Sequence, residues 1–466
     1  MPSPSEPSSD PSHVPTLDAA SDPSPAWARR RDLAVRAAVR AGLLGEDAPL
    51  AAFVDLRGIE ETAAALRAAW PTHLDVRHAF AAKANCLVPV LRTLRSHGFG
   101  CEVASAGELA QALTAGFSPE ELVFDSPAKS RTEIESALAA GIAINADNFQ
   151  ELDRIDAFMA GFTSASDIGI RVNPQIGLGG IEAMSTAGEQ SKFGVPLRDP
   201  GNRARLVAAY ARRPWLRWIH VHVGSQGMAP KLIGAGVAAA VGLALEINEV
   251  CGRRRVVGID IGGGLTVDFT GEQAPDFAGH ARAVLAAAPE LARGEFRILT
   301  EFGRSVMAKN GFMASRVEYT KEAGGRAVAI THLGAHVATR TAFAPASWPL
   351  RVLGYDAQGL PSRERLRAQD VAGPCCFAGD LVARGHPLPL LRQGDIAVLP
   401  DTGAYYFSTP FRYNSLPMPA VHGFTEEGGE VGFTLLRRAE SVADVLAESL
   451  GETTALAPGR PSRSHR

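Results

Sequence analysis

From about Arg57 to Arg304 the chain alternates short apolar runs with Ala- and Leu-rich stretches of helical period. The apolar runs are HAFAA, GCEVAS, ELVFD, IAINA, IGIRVN, WIHVHV, VVGIDI and RILTEFG. Between them lie segments such as VPVLRTLRSHG, AGELAQALTAG, TEIESALAAG and NFQELDRIDAFMAG, several ending in the Gly that commonly closes a helix. Such repetition implies parallel strands with right-handed crossovers, and eight units close into a TIM (β/α)8 barrel. A doubly wound open sheet is the competing topology, but it does not bring the first and last strands together.

Lys83, Glu102, Asn145, Arg171, His222, Gly262 and Glu301 fall at or near the C-terminal ends of these strands, the rim that carries the active site in TIM barrels. After about Ser315 the texture changes to strand-like segments with Gly and Pro turns: RAVAITHLG, PLRVLGYD, DIAVLPDTGAYYF and EVGFTLLRR. These predict a C-terminal antiparallel β domain, with the early LAAFVDL as a strand that joins it from before the barrel. The expected division is a disordered tail over 1–27, a helix and strand joining the β domain over 28–56, the barrel over 57–315, the β domain over 316–450 and a disordered tail over 451–466. The Pro- and Ser-rich N-terminus lacks the apolar surface to offset its ordering entropy and lacks the form of a secretory signal. The basic run Arg29-Arg30-Arg31 belongs to the first helix.

Hydrophobic content of 46% and charged content of 21% describe an ordinary globular protein. A net charge of −3 gives no reason to expect nucleic acid or an anionic membrane as partner, and no apolar run is expected to span a bilayer. Five cysteines, Cys86, Cys101, Cys251, Cys375 and Cys376, form no CxxC pair, which argues against a disulfide framework or zinc site and for the reducing cytoplasm.

Lys83 ends an apolar strand, where its amine can attack an aldehyde once desolvation has eased loss of its proton. Gly262-Gly263-Gly264 ends VVGIDI and offers backbone amides to a phosphate; the stretch Glu301-Phe302-Gly303-Arg304 adds a carboxylate and a guanidinium. Their order and spacing point to pyridoxal 5'-phosphate. His220 and His222 share one strand face, so a metal pair is the rival use for them; in metal-dependent barrel hydrolases such a pair sits on the first strand rather than the sixth, and no metal is expected here.

The runs AAKAN, CEVASAGEL, RVNP, SKFG, HVHVGSQ, DIGGGL, GPCCFAGD and DTGAYYF occur in this order between about residues 45 and 445. On them the chain resembles the fold-type III pyridoxal phosphate decarboxylases, which include diaminopimelate, ornithine and arginine decarboxylases. The resemblance implies that Lys83 is the Schiff-base lysine, that Glu301 meets the pyridine nitrogen and that His222 stacks on the ring. It implies further that Ser225, Gly262, Gly263, Gly264, Gly303 and Tyr405 contact the phosphate, that Arg304 pairs with phosphate or a substrate carboxylate, and that Glu102 and Arg171 lie around the ring and lysine. Cys376, put in register by Gly379-Asp380, would enter the neighbouring subunit's site and return a proton after decarboxylation, which requires a homodimer; Cys375 would be a small buried apolar residue.

Three departures bear on the substrate. Phe302 stands where the family has proline, which leaves the charge of Glu301 intact but reshapes the turn. Phe377 stands where diaminopimelate and ornithine decarboxylases have an acid for the distal ammonium, and a phenyl ring cannot neutralise an ammonium. Arg340 matches an arginine for a substrate carboxylate, but the tyrosine expected after it is replaced by TAFAPASW. The implied activity is removal of the α-carboxylate of an amino acid or amino-acid conjugate, diaminopimelate-decarboxylase-like. Glu-x-Gly-Arg and Pro-x-Ser-Trp are similar to the siderophore branch that decarboxylates citryl-diaminopropionate, an alternative whose acylated amine fits Phe377. An alanine-type racemase is disfavoured by Glu301, since racemases place an arginine at the pyridine nitrogen. A catalytically silent cofactor-binding protein would be expected to lose Lys83 or Cys376.

Overall fold

The computed structural model describes residues 24–450. Most of the expected N-terminal tail and all of the C-terminal tail lie outside the described residues. The first helix, Ala26–Arg40, takes in Ala26 and Trp27 from the segment expected to be disordered, because the Trp27 indole donates to Glu272 at 3.0 Å. Arg30 and Arg31 of the basic run are buried in that helix against Asp55, Glu61 and Glu272.

The strands of the first two-thirds are β1 Leu50–Asp55, β2 Val76–Ala81, β3 Gly100–Val103, β4 Leu122–Asp125, β5 Ala143–Ala146, β6 Ile168–Asn173, the two-residue β7 Val195–Pro196, β8 Leu216–His220, β9 Gly258–Asp260 and β10 Arg297–Thr300. β2 to β6 and β8 to β10 pair in parallel, and Ile298 of β10 pairs with Val76 of β2. That last pairing closes the eight-stranded barrel and excludes an open sheet. Each of the eight apolar runs supplies one strand. The helices between them form where the sequence caps them: Ser105, Ser130 and Asn148 accept the backbone N–H three residues on, and Gly116 and Gly141 close two helices in the left-handed conformation.

Contrary to expectation, one helix, Pro230–Val250, is long and apolar enough to cross a membrane by length and composition. It is a barrel helix, and Ile233, Val237, Val241, Ala244 and Ile247 are among its core-facing residues.

The second sheet is built from β1 with β11 Gly311–Ala323, β12 Arg326–Thr331, β13 Leu353–Tyr355, β14 Leu366–Ala372, β15 Leu381–Pro389, β16 Ile396–Leu399, β17 Ala420–Glu427 and β18 Glu430–Arg437. It is mixed rather than antiparallel: β1 runs parallel to β17, and β12 parallel to β14. Neither pair is joined by a hairpin. β1 enters from before the barrel, and the β12–β14 connection is long enough, with its helix Ala335–Phe343, to make a crossover.

The two parts are clamped at Glu272, on the barrel side, which accepts from Arg31 at 3.0 Å and from Arg351 at 2.7 Å. Burial alone would raise its pKa, but these guanidiniums outweigh burial and bring the carboxyl down to about 2.

Candidate functional site

Lys83 sits on a 3-10 turn, Ala82–Ala84, that follows β2, and its Nζ donates to Glu102 Oε2 at 2.6 Å. The Lys83 side chain is 44% exposed, and although its surroundings cost the charge some solvation, Glu102, Tyr405 and Glu301 outweigh that and hold the ammonium above its ordinary pKa. Here the structure corrects the expectation of an easily deprotonated lysine: in the protein alone Lys83 is a paired cation. The turn is pinned from the β domain. Ala84 O accepts from Tyr405 N and from Ser408 Oγ, both at 2.9 Å, and Asn85 Nδ2 donates to Gly403 O.

The glycine run follows β9. Gly262 and Gly264 have φ of +65° and +110°, which favour glycine, and a Cβ on any of the three would overlap the His222 ring, the Glu301 carbonyl or the Gly224 carbonyl respectively. Gly303 is as tightly held, since a Cβ there would lie 2.9 Å from Ala84 Cβ. Ser225 follows Gly224 and is fixed by its N–H to Met184 O. His222 Nδ1 accepts the Gly263 N–H at 3.0 Å. Burial first, then the cations Arg171 and Lys83, push His222 well below the usual histidine pKa, so it presents a neutral ring.

Glu301 is 4% exposed; its N–H donates to Gly262 O at 2.8 Å, and its Oε1 has no hydrogen-bond partner among the described residues. Burial, together with Asp260, Glu102 and Asp125, raises its pKa well above the carboxylate range. Phe302 does not loosen this turn. Its buried ring meets Phe277 at 5.6 Å and His280 at 5.1 Å, and its carbonyl accepts from Ala81 N. Arg171, on β6, lies 3.7 Å from Asp125 and 4.3 Å above the Phe193 ring of SKFG.

Arg304 and Arg340 flank the same two rings. Arg304 Cζ lies 4.6 Å from the centroid of Trp348 and 4.5 Å from that of Tyr405; Arg340 Cζ lies 5.0 Å and 4.6 Å from them. Burial and the neighbouring Arg340 bring Arg304 down to about 10, although Tyr405 opposes the shift. Arg304 Nε and Nη1 and Arg340 Nη1 are buried without a partner, and neither arginine forms an ion pair among the described residues. Two guanidiniums so placed could hold an anion. Trp348 was not picked out as a site residue in the sequence; its only signal is its place in PASW.

Cys376 is elsewhere. It is exposed on the β14–β15 loop, its N–H donating to Asn414 at 2.8 Å, whereas Cys375 is buried and burial pushes its thiol up to about 11. Phe377 stacks on Phe343 at 5.2 Å and 5° and meets Tyr413 at 5.3 Å. Within one chain these residues form an aromatic cluster beside the helix that carries Arg340.

The site fits pyridoxal phosphate on two counts: an amine at Lys83 and an unpartnered buried carboxylate oxygen at Glu301, with the Gly262–Gly264 run packed between them against His222, Glu301 and Gly224. His220, His222 and Glu301 also offer ligand atoms within 4.8 Å of one another. His222 Nδ1 already accepts the Gly263 N–H at 3.0 Å.

Residues 56–308 match the family model for the pyridoxal-binding domain of pyridoxal-dependent decarboxylases. The diaminopimelate decarboxylase of Methanothermobacter thermautotrophicus is 31% identical over 372 residues, covering 79% of this chain and 83% of its own length. That of Pseudomonas aeruginosa is 31% identical over 385 residues, covering 80% and 86%. The structure of Helicobacter pylori diaminopimelate decarboxylase complexed with L-lysine superposes with a TM-score of 0.74 at 24% identity, covering 86% of this chain and 96% of that one. At these levels of similarity, and with the cradle and lysine where the fold needs them, the chain belongs to the pyridoxal-dependent decarboxylase family.

Proposed function

We propose that this amino-acid decarboxylase removes the α-carboxylate of a diaminopimelate-type substrate at the rim built around Lys83. The observation that carries the reading is the convergence of Lys83, the Gly262–Gly264 cradle and the unpartnered Glu301 Oε1 at one end of the barrel. Bound pyridoxal phosphate supplies an electron sink for the pair left when carbon dioxide departs. Glu301 would meet the ring nitrogen with its carboxyl group, and His222, a neutral imidazole, would stand beside the ring. The backbone at Gly264 and Gly303 would hold the phosphate, with Ser225 and Tyr405 beside it, while the Gly262 and Gly263 amides are spent on Asp260 Oδ1 and His222 Nδ1. Arg304 and Arg340 bind and orient a carboxylate of the substrate. Glu102 keeps the Lys83 ammonium in place, and Arg171 sets the charge beside it.

Cys376 returns the proton from a second copy of the chain, which makes the working unit a homodimer; its exposure on the β14–β15 loop supports that assignment. Free cysteines throughout the described residues support a reducing, cytoplasmic setting.

The test is carbon dioxide release from meso-diaminopimelate by the cofactor-loaded protein, with Lys83→Ala as the inactive control. Turnover that disappears in Lys83→Ala supports the reading. No release, while the visible absorbance of lysine-bound cofactor is still lost in Lys83→Ala, overturns the substrate and leaves the cofactor site.

A further inference from the structure

Asp380 is buried between two segments that carry different parts of the active site. Its Oδ1 accepts the N–H of Ala335 at 2.6 Å, and Ala335 opens the helix that carries Arg340. Its Oδ2 accepts the N–H of Cys375, the neighbour of Cys376, also at 2.6 Å. The Asp380 backbone closes the same loop: its carbonyl accepts from Gly373 N at 2.9 Å, and its N–H donates to Phe377 O at 3.1 Å. Glycine makes room for the carboxylate. A Cβ at Gly334 would lie 2.6 Å from Oδ2, and one at Gly373 would overlap the same oxygen.

The first N–H groups of a helix have no partner within it and need an acceptor from outside. Gly334, at the N-cap, has no side chain to supply one, so the acceptor comes from Asp380, 45 positions on in the chain. The helix is also kinked at Ala338, which interrupts its own hydrogen bonds and leaves its first turn more dependent on that acceptor. On the other side, Cys375 sits in a loop with no ladder to satisfy its amide. The Phe343–Phe377 stack and the 3.8 Å contact of Cys375 Sγ with His336 Nδ1 join the same two segments, but neither satisfies a backbone N–H. Removing the carboxylate would strand two buried donors at once.

We propose that Asp380 is a positioning residue that sets two elements of the site with one carboxylate. Through Ala335 it fixes the start of the helix that carries Arg340, and through Cys375 it fixes the loop that presents Cys376. The consequence in turnover rests on the decarboxylase reading, in which Arg340 serves its own chain's site and Cys376 serves the partner's; the coupling of the two segments does not. Within a homodimer, Asp380 then acts on substrate binding in its own chain and on proton return in the other.

The first test is amide hydrogen exchange of the full-length protein, read by mass spectrometry. Asp380→Asn turns an amide NH2 toward a backbone N–H that had an oxygen. Exchange should speed by about tenfold or more both in the helix Ala335–Phe343 and in residues 373–380, with the barrel strands unchanged. Acceleration in one segment only, or in neither, overturns the proposal. If the variant does not fold, the wild-type protein decides: the Ala335 and Cys375 amides should share one opening and be protected to within about threefold of each other, and a wider gap overturns it. The second test is kinetic and uses mixed dimers, with the Lys83→Ala and Cys376→Ala pair as reference. Paired with Cys376→Ala, an Asp380→Asn chain lends only its Cys376 to the live site, so kcat should fall about 10- to 100-fold with KM unchanged. Paired with Lys83→Ala, it supplies the live barrel and its own Arg340, so KM should rise about tenfold with kcat at the reference level. Equal changes in the two pairs would show a general loss of structure and sink the proposal. No turnover in the reference pair would instead remove the shared-site reading and leave the exchange result to decide the coupling.

Discussion

Gly263→Ala probes the cradle most directly. A Cβ at this position would overlap the Glu301 carbonyl oxygen and lie 3.1 Å from the Glu301 carbonyl carbon and 3.4 Å from Phe302 Cα. All of these are backbone atoms, so no side chain can rotate aside. Relief requires the strand end that carries Glu301 to move, and that segment is tied back to Gly262 O. Overpacking a closed site costs about 1–3 kcal/mol. Displacing the Gly263 N–H from His222 Nδ1 removes a hydrogen bond of roughly 1 kcal/mol. The total is about 2–4 kcal/mol, and since 1.4 kcal/mol is a factor of ten, cofactor affinity should fall by about 5- to 30-fold if half of that appears in binding.

The assays are urea denaturation of the cofactor-free protein and titration of cofactor by absorbance. Gly242→Ala is the matched control. It lies inside the helix Pro230–Val250 with nothing within 4 Å of its would-be Cβ, so alanine there should stabilise by about 0.5–1 kcal/mol and leave cofactor binding unchanged. An unchanged midpoint and unchanged cofactor affinity in Gly263→Ala would refute the argument that the backbone is closed at this point.

Two further perturbations separate the clamp from the chemistry. Glu272 is depressed from 4.5 to about 2 in the folded protein, so its stabilisation is present above pH 4.5 and is lost as pH falls toward 2. Glu272→Gln should therefore cost up to about 3 kcal/mol near neutral pH, and the gap to wild type should close at the acid end of a pH series of urea midpoints. For the shared site, Lys83→Ala and Cys376→Ala chains should each be nearly inactive alone, yet regain about a quarter of wild-type turnover after unfolding and refolding together in equal amounts, because half of the dimers are mixed and each carries one intact site. Absence of recovery, with dimers present by size-exclusion chromatography, would place both residues in the same site of one chain.

The barrel was legible because its strands are uninterrupted apolar runs and its helices carry explicit caps such as Ser130 with Glu133. The β domain was less so. β14, LRAQDVA, and β15, LVARGHPLP, carry charges and prolines that hide a strand period, since both lie toward one edge of the sheet. The helix Ala335–Phe343 was missed because AHVATRTAF is rich in β-branched residues and is kinked at Ala338. Residues on recognisable runs, such as Lys83, Glu301 and the glycines, could be named from the sequence. Trp348 could not, because its role comes from two arginines 44 and 8 positions away that fold brings to its ring. Nor could the link from Asp125 through His220 to Glu301, which joins three different strand ends.

The strained segment of the β domain explains why the site needs both parts of the chain. Asp401 and Tyr405 have φ of +63° and +66°, a conformation costing an ordinary residue about 1–2 kcal/mol each. The strain is held by partners on both sides: Asp401 is gripped by Lys309 of the barrel end at 3.1 Å and by Arg351 of the β domain at 2.8 Å, and Tyr405 N–H closes on Ala84 O beside Lys83. A relaxed loop would swing the Tyr405 ring off Arg304 and Arg340 and free the turn that carries Lys83. The anion site and the lysine are therefore set by one loop. Lys309 from the barrel end and Arg351 from the β domain both hold Asp401 in that loop, so the site draws on both parts of the chain.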